Sequence, residues 1–215
     1  MKRDGIFKSI LIIFWVFIIG SIIGYGVETI VGLVQNGHFV SRQGLLYGPL
    51  IPVYGVGLVS YYLVISKIKN ESNLKIFLIT MLLGGIVEYL FSYFQEKIFG
   101  TVSWDYSNLP FNLNGRTSLL HCLYWGTGGV LFVKFVYPLI ERIKNKLDLF
   151  SLKQITIILL VLLIFDIGIS SVASIRQRER VEGISANSSL DMFCDEYYPD
   201  KVMDYIYSNK INKIK

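Results

Sequence analysis

The sequence carries too little charge for an ordinary soluble domain: only 17% of its 215 residues are Asp, Glu, Lys or Arg, against 53% hydrophobic side chains. It has two cysteines, Cys122 inside an apolar run and Cys194 in a polar tail, and neither a disulfide framework nor a thiolate metal site follows from them. Its two histidines, His38 and His121, lack further ligands at zinc-type spacing, so no metal and no other cofactor is implied. The phosphate loop pattern Gly-x-x-x-x-Gly-Lys-Ser/Thr does not occur, which removes the usual means of using ATP within this chain. Nor is there a Gly-x-Ser-x-Gly elbow to present a hydrolase nucleophile.

What the chain does have is long apolar runs and a mean hydropathy of +0.50. Stretches near the roughly 20 residues that cross a bilayer occur at 10–33, 45–65, 76–94, 119–140 and 155–175. They predict an all-α integral membrane protein with about five transmembrane helices. The first run follows Lys2, Arg3 and Lys8 as a signal peptide would, but it is too long and no small-x-small site closes it, so it is read as a retained span. A polytopic domain over 1–175 is then followed by a polar tail over 176–215, in which "DEYYPDKVMDYIY" offers a short interfacial helix; disorder is the competing reading of the tail.

Orientation follows from where the short loops keep their cations. One side holds Lys2, Arg3, Lys8, Lys67, Lys69, Lys75, Arg142, Lys144, Lys146 and Lys153; the other holds Arg42, Lys97, Arg116, Arg176, Arg178 and Arg180. The larger set predicts a cytoplasmic amino terminus and, with five spans, a tail outside the cell membrane. The net charge of +5 is that of an inner-leaflet anchor and needs no nucleic-acid partner, whereas membrane lipid is a partner by necessity.

Polar residues inside the spans carry the functional signal. Gly20, Gly24, Glu28 and Gly32 recur every four residues in the first run, forming one stripe on a helix. Small residues admit a neighbouring helix, and an ionisable one turns to the bundle interior or a watery cavity. The third run repeats this with Thr80, Gly84, Glu88 and Ser92, then Glu96 where it ends. "IIGYGVE" (22–28) aligns with "LLGGIVE" (82–88), and each is followed by a loop ending in Arg and an apolar run, "RQGLL" from Arg42 and "RTSLL" from Arg116. These matches predict a parallel tandem repeat of two-helix units over 10–66 and 75–140, with a fifth span outside it. The competing reading is recurrence of Gly, Leu and Ile in any apolar sequence.

With this topology Glu28, Arg42, Glu88, Asp105 and Arg116 converge on an outward vestibule as substrate-binding or polar-network residues. Trp104 and Tyr106 suit the interface, and Asn114 and Glu96 are secondary members. Asp105 is expected to pair with Arg116, fix a turn, or hold a headgroup through charge-assisted bonds. Pro49 and Pro52 leave the second span either kinked or beginning as a broken, re-entrant segment. Asp166 either joins the polar interior or pairs with a neighbour.

"QGLLYGPLIPVYGVG", Glu88 and "WDYSNLPFNLNGRTSLL" together resemble the bacterial ABC-transporter permease family called CmpB-like or type IV, over about residues 10–140. Ser103 departs from the aromatic that precedes "WDYS" in the family pattern. The resemblance implies a permease component working with a separate ATPase subunit, with no catalytic residue of its own. Other readings remain open: an accessory or sensory membrane protein whose polar network only locks helices together, or an enzyme acting on a lipid-linked substrate. Self-association is also left open.

Overall fold

The computed structural model describes residues 2–146 and 149–213, with side chains over 8–143 and 152–213. Lys2, Arg3, Lys144 and Lys146, counted above as inner charges, have side chains outside that range, and tail residues 214 and 215 fall outside the described residues.

The apolar runs form helices because nothing inside them competes with the intrahelical hydrogen bonds, the only way a single segment satisfies its backbone in hydrocarbon. Four stretches are long and apolar enough to cross a membrane: 8–36, 73–99, 119–143 and 152–181. They belong to α1 (Lys2–Asn36), α3 (Asn73–Phe99), α4 (Leu119–Leu131) and α6 (Leu149–Val181). A π-helical turn, Phe132–Val136, joins α4 to α5 (Tyr137–Lys146) without breaking the rod. Ser72 caps the start of α3 by accepting from the Lys75 N–H, and Gly100, at φ 68°, ends it in the left-handed conformation that glycine adopts freely.

The second apolar run behaves differently. Its helix, α2 (Pro52–Ile68), is only 17 residues long, because residues 45–51 of the predicted span are not helical. Gly48 has φ +78°, and Pro52 lacks the N–H that a helix interior needs, so it begins the helix instead of continuing one. Between them the chain folds on itself, the Gly44 N–H donating to the Leu50 carbonyl at 2.9 Å. Leu45 and Leu46 are nevertheless buried, so the exposed backbone donors must find partners inside the protein. The Ile51 N–H bonds the Ser21 carbonyl of α1 (3.2 Å), Leu46 N–H bonds the Ser170 hydroxyl of α6 (2.8 Å), and Tyr47 N–H bonds Asp166 Oδ1 (3.1 Å). Asp166 and Ser170 are themselves buried and joined at 3.1 Å. Asp166, the acid in the apolar part of α6, therefore holds the non-helical segment before α2 in place.

Helices α1 and α2 pack as one pair, and α3 and α4 as another. At each contact an aromatic ring lies on a glycine: Tyr54 covers Gly24, and Trp125 covers Gly84, where any Cβ would fall inside the ring. Trp125 also covers Gly57 of α2, and the Tyr61 hydroxyl donates to the Trp125 carbonyl at 2.6 Å, which joins the two pairs.

The tail is folded. α6 continues unbroken past the 175/176 boundary expected from composition to Val181, and α7 (Ser189–Tyr197) and α8 (Asp200–Ile206) follow. Ser188 and Asp191 close a capping box at the start of α7, and Pro199 separates the two helices. Cys194, Tyr198 and Met203 form a buried cluster with Leu46 and Ala173, so the tail packs against the non-helical segment before α2 and against α6. Arg176 bridges to Asp195 through two hydrogen bonds of 2.9 Å, and Arg180 reaches Asp195 and Asp200. Finally β4 (Ile211–Asn212) pairs antiparallel with β1 (Thr101–Val102). The disorder weighed for this segment fails because its acids and bases neutralise one another against an apolar docking face.

Candidate functional site

The polar stretch between α3 and α4 folds into a hairpin of β2 (Asn112–Leu113) and β3 (Thr117–Ser118). Its tip demands unusual backbone: Phe111, Asn114 and Gly115 all have positive φ. A side chain at Gly115 would also collide with Asp105 and Ser107. Asn112 closes the turn, accepting from the Gly115 N–H (2.9 Å) and donating to the Leu109 carbonyl (2.8 Å). The loop before the hairpin returns Tyr106 toward the helices, its N–H fixed on the Gly115 carbonyl at 2.8 Å.

Glu88 is the focus of what this loop covers. It is 6% exposed, and both carboxylate oxygens are held: Oε2 accepts from the Thr117 hydroxyl at 2.7 Å and Oε1 from the Tyr106 hydroxyl at 3.2 Å. Burial and then the adjacent Glu88 charge push the Tyr106 phenol well above its ordinary value, which keeps it a donor. The Tyr106 ring stacks on His121, whose Nδ1 lies 2.8 Å from the Ser118 hydroxyl. On the α1–α2 side, the Tyr54 hydroxyl donates to Glu28 Oε1 at 2.6 Å, and the Tyr54 ring lies 5.6 Å from that of Trp125. Tyr54 and Tyr106 each lie within electrostatic reach of both carboxylates, so Glu28 and Glu88 share one acid and aromatic cluster at the meeting of four helices.

The remaining candidates separate from that cluster. Arg116 does not pair with Asp105. Its guanidinium donates to Glu96 Oε2 at 2.6 Å and to the Ser92 hydroxyl at 3.3 Å, and it lies over the rings of Tyr89 and Tyr93. Trp104 Nε1 donates to the Arg116 carbonyl (2.8 Å), and Asn114 donates to the Tyr89 hydroxyl (3.1 Å). Asp105 turns instead to the tail. It accepts from the Ser107 N–H at 2.9 Å and is paired with Lys213, which with Ser107 holds its carboxyl down at about 2. Expecting one network of five charges overlooked the tail, which supplies Asp105 with a nearer cation. Arg42 lies against Gly32 on α1, its Nε buried and without a partner among the described residues.

Sequence reasoning missed Tyr54, Thr117, His121 and Trp125 as members of the cluster. Thr117 had a legible signal, since it follows Arg116 directly. Tyr54 had none, because its approach to Glu28 depends on where the non-helical segment ends and α2 begins.

Long apolar helices that enclose buried acids define a multi-pass helical membrane protein. The chain belongs to the family described as "Putative ABC-transporter type IV", whose model matches residues 15–171 and so reaches well into α6, beyond the span of the resemblance read from the motifs. No curated protein and no solved structure matches the chain.

Proposed function

We propose that this chain is the membrane-spanning component of an ABC-type transporter, coupled to a separate ATPase subunit, with its cargo engaging the cluster of Glu28, Tyr54, Glu88, Tyr106 and His121. The observation that carries this reading is the buried carboxylate of Glu88 among phenol, hydroxyl and imidazole groups. An acid within a span is costly to keep and marks a binding position or pathway by default. Family membership supports the transporter class, and a separate ATPase subunit accords with a sequence that carries no phosphate loop of its own. Two carboxylates flanked by aromatic rings suit a cargo bearing a cation or several hydrogen-bond donors.

In this reading α2 and its re-entrant lead-in complete a fifth crossing, the amino terminus is cytoplasmic, and the cluster opens outward beneath the hairpin. The two helix pairs form a parallel repeat. Matched contacts support it: Gly24 with Tyr54 beside Gly84 with Trp125, and Gly32 with Arg42 beside Ser92 with Arg116. The rings are not at identical register, since Tyr54 lies 12 residues after Arg42 and Trp125 9 after Arg116.

A second reading, a polar lock in an accessory protein, is favoured by one fact: both oxygens of Glu88 are already satisfied within the chain. Purification from native membranes, followed by identification of co-purifying subunits and ATPase assay of the reconstituted complex, separates the two. A co-purifying ATPase whose cargo-stimulated hydrolysis is lost in Glu88→Gln, at unchanged thermal stability, supports transport. No ATPase, or full hydrolysis by a destabilised variant, supports the lock.

A further inference from the structure

A cavity of about 540 Å³ lies between α3, α6 and the re-entrant segment, and it shares no lining residue with the acid and aromatic cluster. This size falls within the roughly 300–1,000 Å³ of small-molecule sites. Its long walls are apolar. Leu90, Phe94, Ile98 and Ile167 line it and are exposed, although they belong to helices at membrane depth. In a bilayer, the medium that meets such walls is acyl chain.

One end has a different character. There the cavity is closed by the tail and by β1, with Lys210, Ser103 and Ser174 in its lining. The Lys210 ammonium is fixed by the Gln177 side-chain carbonyl, and its side chain is only 11% exposed. Its nearest acid, Asp204, is 3.5 Å away with a side chain 65% exposed, and the Oδ1 that faces Lys210 also accepts from the Gln177 amide at 2.9 Å, so its charge is shared with Gln177 and solvent. The site is therefore amphipathic along its length: hydrocarbon walls, then hydroxyls, then one sheltered cation.

We infer that this groove holds one acyl chain of a phospholipid from the leaflet on the tail side, with the phosphate seated at Lys210 and the hydroxyl-lined end. The inference is independent of any cargo or ATPase. It gives the folded tail a role: by closing the groove at one end, α8 and the segment after it determine where a headgroup stops.

The test uses the full chain in phosphatidylcholine vesicles containing a phosphatidylglycerol probe with a photoreactive group on one acyl chain. Labelling should concentrate on residues 90–99 and 167–174, roughly fivefold over the exposed residues Ile157, Ile158, Val161, Leu162, Ile164 and Phe165 of α6, a ratio that about 1 kcal/mol of preference produces. Ile98→Trp should fill the groove and remove the excess; if that variant does not fold, Ser171→Leu serves. Lys210→Gln should lower the excess for the phospholipid and leave a diacylglycerol probe with the same chain unchanged. Even labelling around α3 and α6 would overturn the groove as a site. Equal labelling by both probes, insensitive to Lys210→Gln, would overturn the phosphate assignment.

Discussion

The Tyr106 ring lies flat on the His121 imidazole, centroids 3.7 Å apart and planes within 12° of parallel, which ties the loop between α3 and α4 to the first turn of α4. Through its hydroxyl the same tyrosine reaches Glu88. One side chain thus couples the loop, α3 and α4.

Removing the Glu88 carboxylate should reveal that coupling. Glu88→Ala leaves the hydroxyls of Thr117 and Tyr106 without their acceptor, and each unsatisfied buried group costs roughly 1–3 kcal/mol. The expected result is a clear fall in the unfolding temperature of the purified protein, whereas Glu88→Gln, which retains an acceptor, should lose much less. Equal losses in both would mean that the charge itself holds the fold.

The ring-on-glycine contact of Gly84 and Trp125 makes a packing prediction. Gly84→Ala drives a methyl into the indole, and such overpacking costs roughly 1–3 kcal/mol. Combined with Trp125→Leu, which vacates the space, the glycine change should add little further loss. A thermal-unfolding double-mutant cycle reads the coupling, and simple additivity would contradict the contact.

Arg116 and Asp105 face different partners, so their effects should add. The double variant Arg116→Ala and Asp105→Ala is expected to lose the sum of the single losses to within roughly 0.5 kcal/mol, while Arg116→Ala and Glu96→Ala should be clearly non-additive. Coupling of the first pair would restore the single outer network that the charges alone suggested.

The pH response of the tail follows from Asp105. Its carboxyl is depressed to about 2 by Lys213 and Ser107, below the roughly 3.9 of a free aspartate. A depressed acid contributes its stabilisation above the unfolded value and loses it as pH falls through the folded one. Protection of the amides at residues 209–213, taken relative to their intrinsic exchange at each pH, should therefore fall between about pH 4 and pH 2, and Lys213→Ala should flatten that response. An unchanged profile in the variant would assign the tail's attachment to the β1–β4 pairing alone.

The helices were legible because their signal is uniform apolarity over a known thickness, and Glu28 and Glu88 stood out as acids within it. The stripes also located Gly24 and Gly84, two of the positions where rings approach. What escaped reading was set by distant partners. Lys213 lies 108 residues from Asp105 and Asp166 lies 119 from Tyr47, and no local pattern encodes such contacts. The docking of the tail was hidden for the same reason: Arg176 and Arg180 meet Asp195 and Asp200 some 15 to 20 residues away, and Lys213 meets Asp105.

The bonds from Asp166 and Ser170 to the backbone at 46 and 47 also impose an order of events. Membrane helices enter one after another as the chain is synthesised, and the segment before α2 arrives long before α6 does. Until then the N–H groups of Leu46 and Tyr47 lack their native acceptors. The pair of α1 and α2 therefore waits in an unfinished form until α6 supplies those acceptors.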